Sequence, residues 1–141
     1  MNDPITLHGY YRSSASFRVR IALNLKAIAY EDAFHHLRRG EHYLRKTLHQ
    51  PEDAIKDWYN RWIADGFEAI EGILATSPAT GRFCHGDSVT MADVCLVPQV
   101  VNARNFDLDM TAFPILQRIS GAALALPAFE RAMPSNQKDF E

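Results

Sequence analysis

Two adjacent serines, Ser13 and Ser14, stand immediately before a stretch with helical periodicity and are the residues best placed to do chemistry. A hydroxyl at the first turn of a helix can donate a hydrogen bond to an anion, and the free amides and dipole of that turn favour the same negative charge. A thiol bound there loses its proton more readily and becomes a nucleophile at neutral pH. The alternative is that the serines only cap the helix, as serines before helices usually do.

Arg12 precedes the serines and is a second candidate. Its planar guanidinium can hold a carboxylate through two parallel hydrogen bonds, which suits an anionic substrate. A solvated surface arginine explains the residue equally well. Four of the six histidines are scattered, and His35 and His36 are adjacent, which suits no known metal spacing. With no cluster of cysteine and histidine, the sequence predicts no metal site.

The segment around these residues predicts a β-strand, an α-helix and a second strand. Residues 5–8 alternate as a strand does, residues 15–26 have helical periodicity, and residues 29–35 alternate weakly. Strand, helix and strand within so short a span form a βαβ unit. The helix should bury one apolar stripe and leave its arginines mostly off that stripe, which consists of Phe17, Ile21, Ala22 and Leu25.

A well-capped helix is predicted near the middle of the chain. The hydroxyl of Thr90 can accept from the amide of Asp93, while the Asp93 carboxylate reaches back to the amide of Thr90. Val89 and Val94 can close a hydrophobic staple across this cap. The run that follows is apolar on nearly every face, so we expect a buried helix with a kink at Pro98.

Three further helices are expected, opening near Pro51, at Pro114 and at Pro127, each with proline in or next to its first turn. The polar tail after Pro134 is expected to be loose. The first of these helices carries an apolar stripe that should be buried: Ile55, Trp58, Trp62, Gly66, Ala69, Ile70 and Ile73.

The composition is that of an ordinary globular domain: 141 residues, 47% apolar, 23% charged and a net charge of -2. This balance predicts neither a nucleic-acid partner nor a membrane partner. No stretch is long and apolar enough to span a bilayer, and the N-terminus lacks the pattern of a signal peptide. Cys84 and Cys95 have apolar neighbours and are expected to be buried free thiols in a reducing compartment, which favours the cytoplasm.

Two segments resemble the zeta class of glutathione transferases, the maleylacetoacetate and maleylpyruvate isomerases. Residues 86–100, with Gly-Asp-x-x-Thr-x-Ala-Asp before a buried helix, are similar to the core of the helical C-terminal domain. Residues 11–23 resemble the signature Arg-Ser-Ser-Cys-x-x-Arg-Val-Arg, with Ala15 in place of the cysteine. The implied fold is mostly α. It joins a truncated thioredoxin-like βαβ unit over residues 1–41 to an all-helical glutathione-transferase C-terminal domain over residues 42–141.

The resemblance also implies an activity, the glutathione-dependent cis–trans isomerisation of a small-molecule substrate. In that reaction a thiolate adds to a cis-activated double bond, the resulting single bond rotates, and the thiolate leaves. By this resemblance, Ser13 and Ser14 activate the glutathione sulfur. It further implies a homodimer that acts in aromatic amino-acid catabolism.

The same resemblance implies a substrate-binding arginine before a phenylalanine at the end of the buried helix. The matching residue is Asn105, which cannot form a bidentate ion pair, and Arg104 lies one residue earlier. One residue turns a helical side chain by about 100°, so Arg104 replaces the arginine only if the helix end has unwound. Otherwise Arg104 is a solvated cation that the helix dipole favours. Arg12, Arg104 and Asn105 are therefore the candidates for binding substrate.

The chain departs from this family near residues 40–43. There the family continues through two strands and a helix, with a Val-Pro loop and a Gln-Ser pair that holds the γ-glutamyl group of glutathione. No Gln-Ser occurs in this chain, and its only Val-Pro, at Val97-Pro98, lies in the buried helix. The loss would leave the first strand with a bare edge, which invites pairing with another chain. Two interpretations stay open, a glutathione-dependent isomerase and a non-catalytic helical scaffold or partner-binding module derived from this family.

Overall fold

The structure is a computed structural model and describes residues 5–35 and 47–140. The predicted junction at residues 40–43, and with it the boundary between residues 41 and 42, lies outside these residues. The described elements are β1 (Ile5–Gly9), α1 (Ser14–Leu25), β2 (Tyr30–Phe34), α2 (Glu52–Thr76), α3 (Met91–Asn105), α4 (Pro114–Leu124), α5 (Pro127–Glu130) and a short 3₁₀ turn at Pro134–Asn136.

The βαβ unit is present as predicted. β1 and β2 are parallel, in a register that pairs Ile5 with Tyr30 and Gly9 with Phe34, and α1 connects them. Within residues 5–35 and 47–140, β2 is the only strand that pairs with β1. The other edge of β1 therefore has no strand beside it in the described part of the chain.

α1 attaches this unit to the helical part of the molecule through Phe17 and Ile21, which are buried as predicted. The predicted stripe is wrong at its end, because Leu25 is 42% exposed. Arg20, which we placed off the stripe, is only 2% exposed and lies inside the interface. The long arginine side chain reaches backbone carbonyls there, which a periodicity argument does not consider.

α3 begins with the predicted capping box, in which Thr90 and Asp93 exchange side-chain and backbone hydrogen bonds. The Asp93 carboxylate is completely buried and accepts from the Thr90 amide, the Thr90 hydroxyl and the Cys84 amide, each at 2.8 Å. Val89 and Val94 pack in the same apolar cluster, as the staple requires. The Cys84 bond adds a link to the preceding loop, whose Gly86 has a φ of +67° that favours glycine.

The buried helix α3 lies between two apolar clusters. On one side Leu96, Val100 and Ala103 pack with residues of α2 and α4. On the other side Val94 and Val97 pack with α1 and α5. Because α3 is covered on both sides, it is apolar nearly all round, as predicted. The helix continues through Pro98 to Asn105.

The prediction of which side chains of α2 are buried is largely wrong. Among the described residues, those buried on α2 are Ile55, Ile63, Phe67 and Leu74. The predicted stripe instead contributes exposed side chains, with Trp58 at 49%, Trp62 at 58% and Ile73 at 65%. α2 carries two apolar stripes, and periodicity alone does not say which one meets the core. The stripe that contains Phe67 packs against α4. Beside this contact, Glu71 of α2 accepts hydrogen bonds from the amides of Ile115 and Leu116 at 2.8 and 3.0 Å.

Two smaller expectations are also wrong. The tail after Pro134 is held by hydrogen bonds: Gln137 donates to the carbonyls of Arg131 and Met133, and the amide of Tyr11 donates to Asp139. Cys95 is exposed, although both cysteines are free thiols as expected. No helix in residues 5–35 and 47–140 has the length and apolarity needed to cross a membrane. That same part of the chain holds no group of three or more potential metal ligands.

Candidate active site

An open cleft of about 710 Å³ lies between the loop before α1, the first turns of α2, the C-terminal half of α3 and the C-terminal tail. Its size is in the range of small-molecule sites. A second, much smaller space of about 10 Å³ lies next to the cleft, at the first turn of α1, and is lined by Ser13 and Ser14. The residues that line both spaces are Arg12, Val101, Asn102, Asn105 and Pro134.

Ser13 and Ser14 line the smaller space and do not line the cleft itself. Ser13 is the N-cap of α1, and its hydroxyl oxygen accepts from the Ser16 amide at 3.2 Å. Capping uses a lone pair of that oxygen, so the hydroxyl proton can still be donated to a ligand. Ser14 is the first residue of α1, and the amides of Ser14 and Ala15 belong to the first turn, where no intrahelical acceptor exists. The site therefore offers hydroxyl and amide donors to an anion.

The loop that delivers these serines is fixed by short contacts. The Ser13 amide donates to the Tyr10 carbonyl at 2.9 Å, which closes a tight turn. Gly9, at the end of β1, approaches α1 so closely that a Cβ atom would lie 2.9 Å from Ser16 Oγ. A side chain at this position would require the Ser16 side chain to rotate or shift, so glycine allows the closest approach of β1 to the start of α1.

Arg20 ties this loop to the other end of the chain. Its guanidinium donates to the carbonyls of Ala132, at 3.1 Å, and Tyr11, at 3.4 Å. Burial lowers the pKa of Arg20, while the charges of Tyr30, Asp32 and Asp139 act in the opposite sense, and an arginine stays protonated throughout. The Tyr11 amide donates to Asp139, and the Tyr11 ring meets Phe140 edge-on. The tail thereby becomes one wall of the cleft.

The opposite wall is the end of α3, where Asn102 and Asn105 line the cleft and Arg104 does not. The helix end has not unwound. The Leu108 amide donates to the Ala103 carbonyl at 3.0 Å, and the Asp107 amide donates to the Arg104 carbonyl at 3.0 Å. This is a Schellman motif, with Asp107 at a φ of +53°. The condition under which Arg104 would take the place of Asn105 is therefore not met.

α2 holds this end of α3 in place. The Tyr59 ring stacks on Phe106 with the ring centroids 4.6 Å apart, and the Asn60 amide donates to the Phe106 carbonyl at 3.0 Å. Lys56 forms a salt bridge of 2.8 Å with Asp107, in which the Lys56 side chain is 43% exposed and the Asp107 side chain is 79% exposed. Sequence reasoning missed Asn102 and Tyr59 as site residues. The spacing of Asn102 and Asn105 was an available signal, because residues three apart share a helix face.

Arg12 is the one charged side chain among the described residues that line the two spaces. Its guanidinium lies 5.7 Å from the centre of the Tyr11 ring and is exposed to solvent. The other lining residues are apolar, aromatic, amide or hydroxyl side chains. In the described part of the chain, the two spaces therefore combine hydroxyl and amide donors at the smaller space, the cation of Arg12 and otherwise uncharged side chains.

Comparison with known proteins identifies the family of the helical part of the chain. A family model for the glutathione S-transferase C-terminal domain matches residues 52–118. The maleylpyruvate isomerase of a Ralstonia species is 46% identical over 72% of this chain and 48% of that protein, so the chain spans about half the length of that relative. The probable maleylacetoacetate isomerase of Vibrio cholerae is 32% identical over 96% of this chain and 98% of that protein.

The Vibrio alignment has 212 positions, 71 more than the 141 residues of this chain, so at least 71 of its positions face no residue here.

Solved structures agree with the sequence relatives. The holo structure of a bacterial zeta-class maleylpyruvate isomerase matches with a TM-score of 0.93 at 30% identity, over 97% of this chain and 100% of that one. The maleylacetoacetate isomerase of Methylobacterium extorquens AM1, solved with malonate and glutathione, matches with a TM-score of 0.91 at 26% identity, also over 97% and 100%. The chain belongs to the maleylacetoacetate isomerase family of zeta-class glutathione transferases.

Proposed function

We propose that this chain is a glutathione-dependent cis–trans isomerase of the maleylacetoacetate or maleylpyruvate type, or a closely related glutathione transferase. The observation that carries the proposal is the position of Ser13 and Ser14, at the first turn of α1, in a small space that shares five lining residues with the cleft of about 710 Å³. Two solved relatives, from Methylobacterium extorquens and from Anaeromyxobacter dehalogenans, contain bound glutathione. These complexes support glutathione as the co-substrate here.

The donors at the smaller space fit an anionic sulfur. The hydroxyls of Ser13 and Ser14 and the amides of the first turn would hold the negative charge, so both serines are proposed as catalytic. Bound glutathione would supply the thiolate that adds to the double bond and leaves after rotation. Arg12 would hold a substrate carboxylate, and Asn105 would hydrogen-bond the substrate body. Arg104, outside the cleft, would remain a solvated cation.

Titration calorimetry with glutathione tests this proposal. We expect measurable heat from the wild-type protein and loss of that heat, together with any isomerase activity, in Ser13→Ala/Ser14→Ala. Ser88→Ala removes an exposed hydroxyl outside the cleft and serves as the control. Because the chain has no Gln-Ser pair, we expect glutathione to bind more weakly than it does in full-length relatives. Unchanged isomerisation in the double variant would contradict the catalytic assignment.

A non-catalytic partner-binding module is the second candidate. It is favoured by the alignment positions that face no residue here and by the exposed apolar side chains of α2. The calorimetry above separates the two candidates. No heat on adding glutathione to a folded wild-type protein would favour the module.

We further propose that the chain is a homodimer in the cytoplasm, with its two units divided between residues 41 and 42. Two features support the dimer because both can pair with a second copy. They are the edge of β1 that faces no strand in residues 5–35 and 47–140, and the exposed face of α2, which carries Trp58, Trp62 and Ile73. Light scattering after size exclusion should give twice the 16.0 kDa chain mass. Trp58→Glu/Trp62→Glu should shift the protein toward monomer. A wild-type monomer would contradict the dimer, and limited proteolysis tests the boundary.

A further inference from the structure

Two histidines meet across the paired strands, and neither of them lines the cleft or the smaller space. His8 Nδ1 and His35 Nε2 lie 2.9 Å apart, the planes of the two rings differ by 24°, and both residues are exposed. Sequence spacing did not indicate this pair, because 27 residues separate its members. Imidazole is the commonest protein ligand of metal ions such as Zn²⁺. We propose that His8 and His35 chelate a Zn²⁺ ion and that the bound ion clasps β1 to β2.

The sheet brings the two rings together and holds their backbones. His8 lies in β1 opposite Ala33, and His35 follows two residues after Ala33, so both side chains are on one face of the sheet. The His35 amide donates to the Gly9 carbonyl at 2.7 Å, which extends the parallel pairing one residue past β2. A Cβ atom at Gly9 would point at Ser16 of α1, so the histidines lie on the face turned away from that helix.

The separation of the two ring nitrogens suits chelation. Zinc binds an imidazole nitrogen at about 2.0–2.1 Å, so two nitrogens on one ion are about 2.9 Å apart at a right angle and about 3.4 Å apart in a tetrahedron. Without an ion, one ring donates its N–H to the other. When the ion binds, that ring carries its proton on its other nitrogen, so both facing lone pairs reach the metal. Histidine χ2 torsions are broad and both rings are exposed, so the rings can turn toward one ion in solvent.

Two imidazoles make an open site. A structural zinc site usually has four protein ligands and a catalytic site three, so water completes the coordination here. Two imidazoles bind better than one because the second acts at a high effective concentration once the first is bound. Among the described residues, β2 is the only strand that pairs with β1. Because the ion holds one side chain from each strand, it stabilises a pairing that two strands alone support weakly.

Titration calorimetry with zinc chloride, on the full chain without glutathione, tests the chelate. We expect His8→Asn/His35→Asn to lose one equivalent of zinc that the wild-type protein binds. Each single variant should bind that equivalent about a hundredfold more weakly, because one imidazole acts without the other. His85→Asn and Cys95→Ser each remove another exposed potential ligand and should keep it. No zinc binding by the wild type, or the same zinc binding by the double variant, would overturn the proposal.

Hydrogen exchange tests the clasp separately. With free Zn²⁺ at about ten times the dissociation constant, exchange in peptides that span β1 and β2 should slow about tenfold, because the ion binds only the paired strands. The double variant should show the same rates with and without zinc. Exchange in α4 should not respond to zinc in either protein, and its metal-free rates report that the variant is folded. Unchanged exchange of β1 and β2 in the zinc-bound wild type would overturn the clasp.

Discussion

Cys84 and Cys95 differ in their surroundings. Cys84 lies in the loop before α3, and Cys95 lies within α3. Cys84 is partly buried among apolar side chains, and its backbone amide donates to Asp93. Burial first, and then the neighbouring Asp93 carboxylate, raise the pKa of the Cys84 thiol to about 12. A protonated thiol is a poor nucleophile. Cys95 is exposed on α3.

This difference predicts selective alkylation. Iodoacetamide at pH 8 should modify Cys95 of the native protein and leave Cys84 intact, because the Cys84 thiol stays protonated and shielded. Mass spectrometry of tryptic peptides measures the site, and the same reaction in denaturant, where both thiols should react, is the control. Rapid native labelling of Cys84 would show that the cap opens readily.

Asp93 makes the stability of the molecule depend on pH. Burial opposes its charge, but hydrogen bonds from the Cys84 and Thr90 amides and side chains outweigh burial and hold the pKa of Asp93 below its ordinary value. A lowered folded-state pKa stabilises the fold above the unfolded pKa of about 3.9, and this contribution disappears as the pH falls through the folded-state value.

We therefore expect the urea midpoint of the wild-type protein to fall as the pH drops from about 5 to about 3. The urea midpoint of Asp93→Asn should fall less steeply over the same interval. Circular dichroism at 222 nm measures both midpoints. Asp87→Asn, at an exposed position in the preceding turn, is the control and should keep the wild-type slope. Parallel curves for wild type and Asp93→Asn would mean that other carboxylates dominate the acid response.

At the scale of elements, a side chain of α2 caps the N-terminus of α4. The Glu71 carboxylate accepts from the amides of Ile115 and Leu116, which are in the first turn of α4 behind Pro114. A carboxylate at a helix N-terminus satisfies orphan amides and complements the helix dipole. Local capping patterns miss this contact, because the cap comes from 44 residues earlier in the chain.

Glu71→Ala should lower the free energy of unfolding by about 1–2 kcal/mol, since two amides at a partly buried helix start lose their acceptor. Urea titration measures the change. Glu68→Ala, on the same helix but exposed, should change it by less than about 0.5 kcal/mol. Equal effects of the two substitutions would show that α2 helicity, and not the α4 cap, is responsible.

At the scale of the whole molecule, Arg20 joins the two ends of the chain. Its guanidinium donates to the Tyr11 carbonyl in the loop before α1 and to the Ala132 carbonyl after α5. Both segments border the cleft, so this contact couples cleft geometry to the packing of α1 on the helical part.

Arg20→Met keeps much of the apolar stem and removes the donors. We expect a loss of about 2–4 kcal/mol, because two carbonyls in a buried interface lose a charged partner. Hydrogen exchange should accelerate at the Tyr11 amide and in the tail more than in α4. Arg18→Met, with one long hydrogen bond at the surface, should leave both measurements nearly unchanged. Uniform acceleration throughout the protein would argue against a specific coupling.

The local pattern of the chain was sufficient for the βαβ unit, for the α3 cap and for placing Ser13 and Ser14 at a helix start. Capping, strand alternation and turn chemistry act over a few residues, so they can be read from neighbours in the sequence. The family resemblance, which rests on two such local motifs, was confirmed by the comparisons. The roles of the serines stay a prediction.

Tertiary structure alone decided which side chains meet around the cleft. α2 has two apolar stripes, and only the packing of α4 determines that Phe67 is buried while Trp62 is exposed. The tail forms a wall because Asp139 and Phe140 reach Tyr11 across 128 and 129 residues of sequence. Asn105, and not Arg104, lines the cleft because α3 stays wound to its end. Such long-range contacts depend on how the elements pack, and no local periodicity encodes them.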